Sequence, residues 1–211
     1  MKKTLFVLAF IAALFCTEKA QAQLNIHAGY SPEMMYTKTP TYDTTFFYHG
    51  ICFGLDWKFN LSKNFSLTAG AQYRINLRDD AKHYWMGDIF VHHTYRERQT
   101  LIDIPIFIHY DIPVGGSVTI SPFIGPMLSL GITGKTSETI TWPLNTETNH
   151  EWYGENGYMS RFNLYAVAGL EMDFNKFTIS LGGRYGFLNI DKRKDTITKA
   201  YGFFLNFGYN F

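Results

Sequence analysis

Cysteine is nearly absent. The 211 residues hold two, Cys16 and Cys52, too few for a disulfide framework. A strong charge of one sign is also lacking. The formal net charge is +1 at pH 7, which argues against nucleic acid, a partner that asks for a basic surface. Long apolar runs are missing after residue 15. Each later run is broken within a few positions by a polar residue, so none approaches the roughly 20 residues of a transmembrane helix. No Cys-rich or HxxxH spacing marks a metal centre, and no cofactor is expected.

The apolar run that does exist lies at the start. Lys2 and Lys3 precede an apolar stretch over 5–15, and Ala20, Gln21 and Ala22 offer a small-residue cleavage site. This predicts a secretory signal peptide over 1–22 and one domain over 23–211. Cys16 follows Phe15, where a lipobox wants a small residue, so lipidation is not expected. Cleavage removes Lys2, Lys3, Glu18 and Lys19, lowering the formal charge from +1 to −1.

Aromatics are abundant, at 18%, and the last eleven residues concentrate them. Tyr201, Phe203, Leu205, Phe207, Tyr209 and Phe211 alternate with Gly202, Phe204, Asn206, Gly208 and Asn210. Period two is a strand with two faces. An aromatic edge of this kind invites aggregation in water but not in a closed barrel within lipid. The ending resembles the C-terminal signal of bacterial outer-membrane barrels, which implies that Phe207, Tyr209 and Phe211 are read by the barrel-assembly machinery.

The same alternation recurs. Eight strands are expected over 24–36, 46–59, 65–78, 100–112, 118–133, 160–173, 177–188 and 201–211. One parity is almost uncharged: Phe53, Leu55 and Trp57; Leu67, Ala69 and Tyr73; Ile102, Ile104 and Ile106; Leu128 and Leu130; Leu164 and Leu170. Only Lys38 and His49 depart from it, near the loops. The other parity carries Glu33, Asp56, Lys58, Arg74, Arg78, Asp103, Asp111, Arg161, Glu171, Asp173 and Arg184. A soluble sandwich or lipocalin-like barrel would reverse this, apolar inside and wet outside. The expected fold is therefore all-β: an eight-stranded antiparallel up-and-down transmembrane β-barrel with a polar interior. Short connections at 60–64, 113–117 and 173–176 alternate with longer ones at 37–45, 79–99, 134–159 and 189–200. Periplasmic turns and extracellular loops alternate in this way, so both termini are expected in the periplasm.

Three stretches carry a family resemblance: LIDIPIFIHY over 101–110, SPFIGPMLSLG over 121–131 and RFNLYAVAGLEM over 161–172. They resemble strands of the PorT-like small outer-membrane barrels, the "outer membrane protein beta-barrel domain" family, although Asn163 stands where an acid is common. The resemblance implies an integral outer-membrane location among outer-membrane lipids and a structural or interaction role. It implies no activity.

The candidate residues fall in three groups. Asp56, Arg74, Arg78, Asp103, Arg161, Glu171 and Arg184 are expected to form an interior charge network that plugs the barrel. Trp85, Trp142, Trp152 and Tyr153 are expected on extracellular loops, where exposed aromatics suit a protein partner and equally suit a rest on the outer lipid leaflet. His83, His92 and His93 share a loop with Asp88 and Glu97 but lack metal-ligand spacing, so loop histidines in solvent are the expectation. No catalytic residues are expected. The alternatives are a membrane-embedded lipid-modifying enzyme, for which His49 on the outward parity is the one suggestion, and a narrow channel. Phe211→Ala tests the terminal signal: the amount of assembled protein in cells should fall steeply while refolding into detergent stays near normal. Unchanged cellular assembly contradicts it.

Overall fold

The structure, a computed structural model, describes residues 22–86, 89–140 and 146–211. The expected signal peptide, Ala22 apart, and Trp142 lie outside the described residues. Eleven strands form a single antiparallel sheet: β1 (Ala22–Tyr30), β2 (Glu33–Lys38), β3 (Asp43–Asn60), β4 (Phe65–Met86), β5 (Ile89–Tyr110), β6 (Ile112–Gly115), β7 (Val118–Ile140), β8 (Thr146–Glu151), β9 (Phe162–Phe174), β10 (Phe177–Gly186) and β11 (Ile197–Asn210). The sheet closes on itself. β1 and β2 each pair with β3 on one side and with β11 on the other. Closure pairs backbone groups that an open sheet would leave at its edges.

Side chains follow the pleat. On β3, Phe53, Leu55 and Trp57 are exposed outward, while Cys52 and Gly54 between them are buried. On β7, Leu128 and Leu130 are exposed and Met127 and Ser129 are buried. On β5, Ile102, Ile104 and Ile106 face out and Leu101, Asp103 and Pro105 face in. The sorting of faces is the one read from the sequence.

Several boundaries differ. The strand expected over 24–36 is broken at Ser31–Pro32 into β1 and β2. Pro32 has no N–H for a ladder, while the Ser31 N–H still donates to the Gly50 carbonyl at 2.8 Å. The loop expected over 79–99 is instead a hairpin: β4 and β5 stay in register from Phe65↔Tyr110 to Met86↔Ile89. A hairpin standing clear of the barrel needs no apolar face. It is held by ladder bonds and by cross-strand pairs such as Asp79–Arg96, at 3.2 Å. The stretch 134–159 is likewise part strand, with β7 running to Ile140 and β8 folding back on it from Lys135↔Glu151 to Ile140↔Thr146.

The short turns lie at one end, called lower here. Asn175 makes the β9–β10 turn with φ of 54°, a left-handed conformation that Asn tolerates. Both chain ends of the sheet lie here too: the Phe211 N–H donates to the Leu24 carbonyl at 2.9 Å. At the upper end the connection after β8 folds inward. Trp152 and Tyr153 pack with Met35, Tyr48, Tyr165 and Val167 as a buried cluster. Gly131 and Gly134 make room for them, because a Cβ at either would meet Tyr153 or Trp152 within 3 Å.

Opposite faces should tolerate arginine differently. Leu128→Arg, on the outward face, is expected to cost roughly 2–4 kcal/mol near a bilayer midplane. Ser129→Arg, pointing inward, should be governed by crowding and by its nearness to Asp103. Urea titrations of vesicle-refolded protein measure both, and equal costs with equal lipid dependence would contradict the facing.

Candidate functional site

The interior holds the polar chemistry, arranged in three levels. The middle level centres on Glu33, which is fully buried. The break at Ser31–Pro32 starts β2 at this residue, with its side chain inward. Its Oε2 accepts from Arg74 Nη1 at 2.8 Å and from the Tyr165 hydroxyl at 3.0 Å. Its Oε1 accepts from Asn76 Nδ2 at 3.1 Å, and Arg184 Nε lies 3.4 Å from Oε2. Arg74 reaches across to Asp103, donating from Nε to Oδ2 at 2.8 Å and from Nη2 to Oδ1 at 3.3 Å. Asp103 also accepts from Ser129 Oγ at 2.5 Å and from Gln72 Nε2 at 2.9 Å. Arg184 donates to the Ser31 hydroxyl at 2.5 Å and to the Ser31 and Pro32 carbonyls at 3.0 Å. Two guanidiniums thus face two carboxylates, with no net charge, and charge-assisted bonds of this kind are the strong ones.

Above this level, Arg78 pairs with Glu97 at 2.9 Å and Asp80 at 2.7 Å, and the Tyr48 hydroxyl donates to Glu97 at 2.6 Å. The folded connection caps it. Trp152 Nε1 donates to Thr136 Oγ1 at 2.7 Å, and Gln99 Nε2 donates to the Tyr153 hydroxyl at 2.7 Å. In the connection before β11, the buried Asp191 is bound by Arg193, whose Nη2 donates at 2.6 Å. Burial disfavours the Asp191 carboxylate, but the Arg193 side chain and backbone N–H outweigh it and hold its pKa below the usual range.

Below, Lys58 sits among three acids: Glu171 at 3.0 Å, Asp173 at 3.1 Å and Asp111 at 3.2 Å. His27 pairs with Asp56 at 2.9 Å. His27, Asp56 and Glu171 border a cavity of about 40 Å³ walled also by Phe107, Phe123, Phe204 and His109. The rings of Phe107 and Phe123 stack at 5.0 Å. Asp56 and Thr68 line the cavity, and their Oδ1 and Oγ1 atoms have no hydrogen-bond partner among the described residues; a space of this size has room for a few waters.

The structure therefore brings Arg74, Asp103 and Arg184 together, puts Arg78 above them, and Asp56 and Glu171 below. Arg161 does not join them. β9 begins only at Phe162, so the inward parity does not reach Arg161, which is exposed. It donates to the Gly131 and Ile132 carbonyls at 3.0 and 2.8 Å. Trp152 and Tyr153, expected as exposed loop aromatics, are 1% and 5% exposed and cap the interior instead. Trp85 is 70% exposed at the tip of the β4–β5 hairpin. Phe207 and Phe211 are exposed on the outer face, and the Tyr209 and Phe211 rings meet edge to face at 5.0 Å. His83 and His92 stand across the hairpin with rings 4.3 Å apart, and no group of three metal-ligating side chains occurs among the described residues.

Glu33, Tyr165, Asn76 and Gln99 are the network members that sequence reasoning missed as a site. Glu33 carries the inward parity, but nothing local marks it as the hub of two arginines more than 40 and 150 residues away.

No family model and no curated protein matches the chain. Among solved structures it is similar to a major outer membrane protein from Thermus thermophilus, at 12% identity and a TM-score of 0.46, covering 90% of this chain and 99% of that one. Ail, the attachment invasion locus protein of Yersinia pestis, is similar at 14% identity and a TM-score of 0.44, over 90% and 99% of the two chains. Neisserial surface protein A is similar at 10% identity and a TM-score of 0.37, over 87% and 95%. At these identities and scores the likeness assigns no role.

Removing Glu33 strands two buried arginines. Glu33→Ala should cost about 3–5 kcal/mol, whereas Arg161→Gln, exposed and held by two carbonyls and the face of the Tyr153 ring, should cost about 1 kcal/mol or less. Equilibrium unfolding in detergent measures both. Equal, small costs would mean the middle level is not the stabilising one.

Proposed function

We propose that the chain is a small integral outer-membrane barrel, of the PorT-like kind, with a structural or interaction role and no catalysis. The observation that carries this is the inversion of faces: a sheet closed around buried ion pairs, with Phe53, Leu55, Trp57, Ile102, Ile104, Leu128 and Leu130 turned outward. Water does not stabilise such a surface, but lipid does. Counting β1 with β2 and β5 with β6 as single staves, and β8 as part of the upper rim, gives eight staves. An interior of that width is filled by side chains.

In this reading the lower end is periplasmic and holds both termini. Trp57, Phe65, Tyr110, Phe177, Tyr209 and Phe211 form its aromatic belt, with Phe65 and Tyr110 rings 5.1 Å apart. The upper hairpins are extracellular and are the surfaces open to a partner. Two interior hydroxyls already serve the ion pairs, Ser129 on Asp103 and Ser121 on Asp111, which speaks against either as a nucleophile. A lipid-modifying site draws on one observation, the outward His49 hydrogen-bonded with the Tyr30 hydroxyl at 2.7 Å, but among the described residues no acid pairs with this histidine.

Unboiled protein should migrate differently from boiled protein on a detergent gel, and purified monomer in planar bilayers should give no steady conductance of porin size. A water-soluble protein without a heat-dependent shift would overturn the membrane reading. Large stable channels would overturn the plug.

A further inference from the structure

The outward face is free of charge until its upper margin, and there the charges on one side share a sign. Arg98 on β5 and Lys135 on β7 are direct cross-strand partners, and both are exposed. A bulge makes them so. The register shifts by one residue between Thr100 and Leu101, opposite Gly131 and Thr133. Below it, Leu128, Leu130 and Ile132 face out. Above it the parity flips, Gly134 is buried and Lys135 turns outward, as an inserted residue requires. Arg161, at the foot of β9, is exposed against the same part of β7. It uses Nη1 on the Gly131 and Ile132 carbonyls, and its guanidinium lies 5.2 Å over the Tyr153 ring; Nε and Nη2 make no hydrogen bond among the described residues.

Like charges set directly opposite one another are destabilising, and nearby acids offset them only in part. Glu151 is 3.9 Å from Lys135. Asp79 pairs with Arg96, one step higher. Arg98 has no ionic or hydrogen-bond partner among the described residues. Elsewhere at this margin the outward polar groups are engaged, His49 with Tyr30 and Lys199 with the Phe187 carbonyl. Directly beneath the cations the apolar band begins, at Ile102, Ile132 and Phe162. Lower on the β9–β11 side, Ala166, Ala168 and Gly183 floor an outward groove walled by Tyr185 and Tyr201. From Phe162 to Ala166 is about 13 Å along a strand, well within an alkyl chain.

We propose that this surface binds one phosphate-bearing lipid of the outward leaflet. Arg98, Lys135 and the open side of Arg161 take the phosphate, and an acyl chain lies in the small-residue groove. Arginine fits a phosphate through paired donors, and the anion relieves the Arg98–Lys135 repulsion. The inference rests on the membrane placement proposed above.

The test uses purified full-length barrel in neutral maltoside micelles, titrated with diphosphorylated lipid A and followed by native mass spectrometry. Dephosphorylated lipid A and excess inorganic phosphate are the comparison arms. Wild type should bind the phosphorylated lipid in preference, and inorganic phosphate should not displace it. The double variant Arg98→Gln/Lys135→Gln should bind it about tenfold more weakly or worse, the equivalent of about 1.4 kcal/mol. Both proteins should treat the dephosphorylated lipid alike. Ala166→Phe, which fills the groove from outside, should weaken both lipids. Equal affinity for the two lipids, an unaffected double variant, or full displacement by inorganic phosphate would each overturn the lipid site. Flotation with phosphatidylcholine vesicles separates the two readings. A double variant that floats but keeps its affinity sinks only the lipid site, whereas a wild type that does not float sinks the membrane placement.

Discussion

Arg74 held between Glu33 and Asp103 is the interaction on which the rest depends. A closed sheet this narrow has no room for a water column, so side chains that point inward must satisfy one another. Glu33 lies on β2, Arg74 on β4, Asp103 on β5, Ser129 on β7, Tyr165 on β9 and Arg184 on β10. Their bonds fix the lateral position of six strands at one height. Backbone ladders alone would permit slippage by two residues with every face preserved. The side-chain network does not, because the Arg74 fork finds both carboxylates only in one register.

The levels above and below divide the work. The Lys58 cluster ties the lower ends of β3 and β9 to Asp111 between β5 and β6, where the turns are short. The Trp152–Tyr153 cap closes the upper end and rests on two glycines of β7. With ion pairs inside and apolar residues outside, the places where this molecule can meet others are its surfaces: the β4–β5 hairpin with Trp85, the β7–β8 hairpin, and the basic margin at Arg98, Lys135 and Arg161.

Legibility in the sequence follows the physics of each part. Period two sorts Phe53 from Cys52 and Leu128 from Ser129 without any knowledge of partners, because that sorting is local. The hairpin above Leu77 looks like a loop in the sequence because a strand in water has no apolar face to announce it. Trp152 and Tyr153 look exposed because only the fold reveals that Gly131 and Gly134 leave a hollow for them. Arg161 is misplaced by extending a parity one residue past the start of β9. The hub role of Glu33 is invisible, since its partners are 41 residues away at Arg74 and 132 residues away at Tyr165.

The break at Ser31–Pro32 has a kinetic meaning. It turns two carbonyls and a hydroxyl toward Arg184, 153 residues further along the chain. Such a contact carries a large loop-closure cost and forms after the local hairpins. It closes together with the β1–β11 seam, whose partners lie as far apart as Asn25 and Asn210. Interactions made after the folding barrier hold back unfolding more than they speed folding. The irregularity in the first strand is thus a device for the lifetime of the closed barrel.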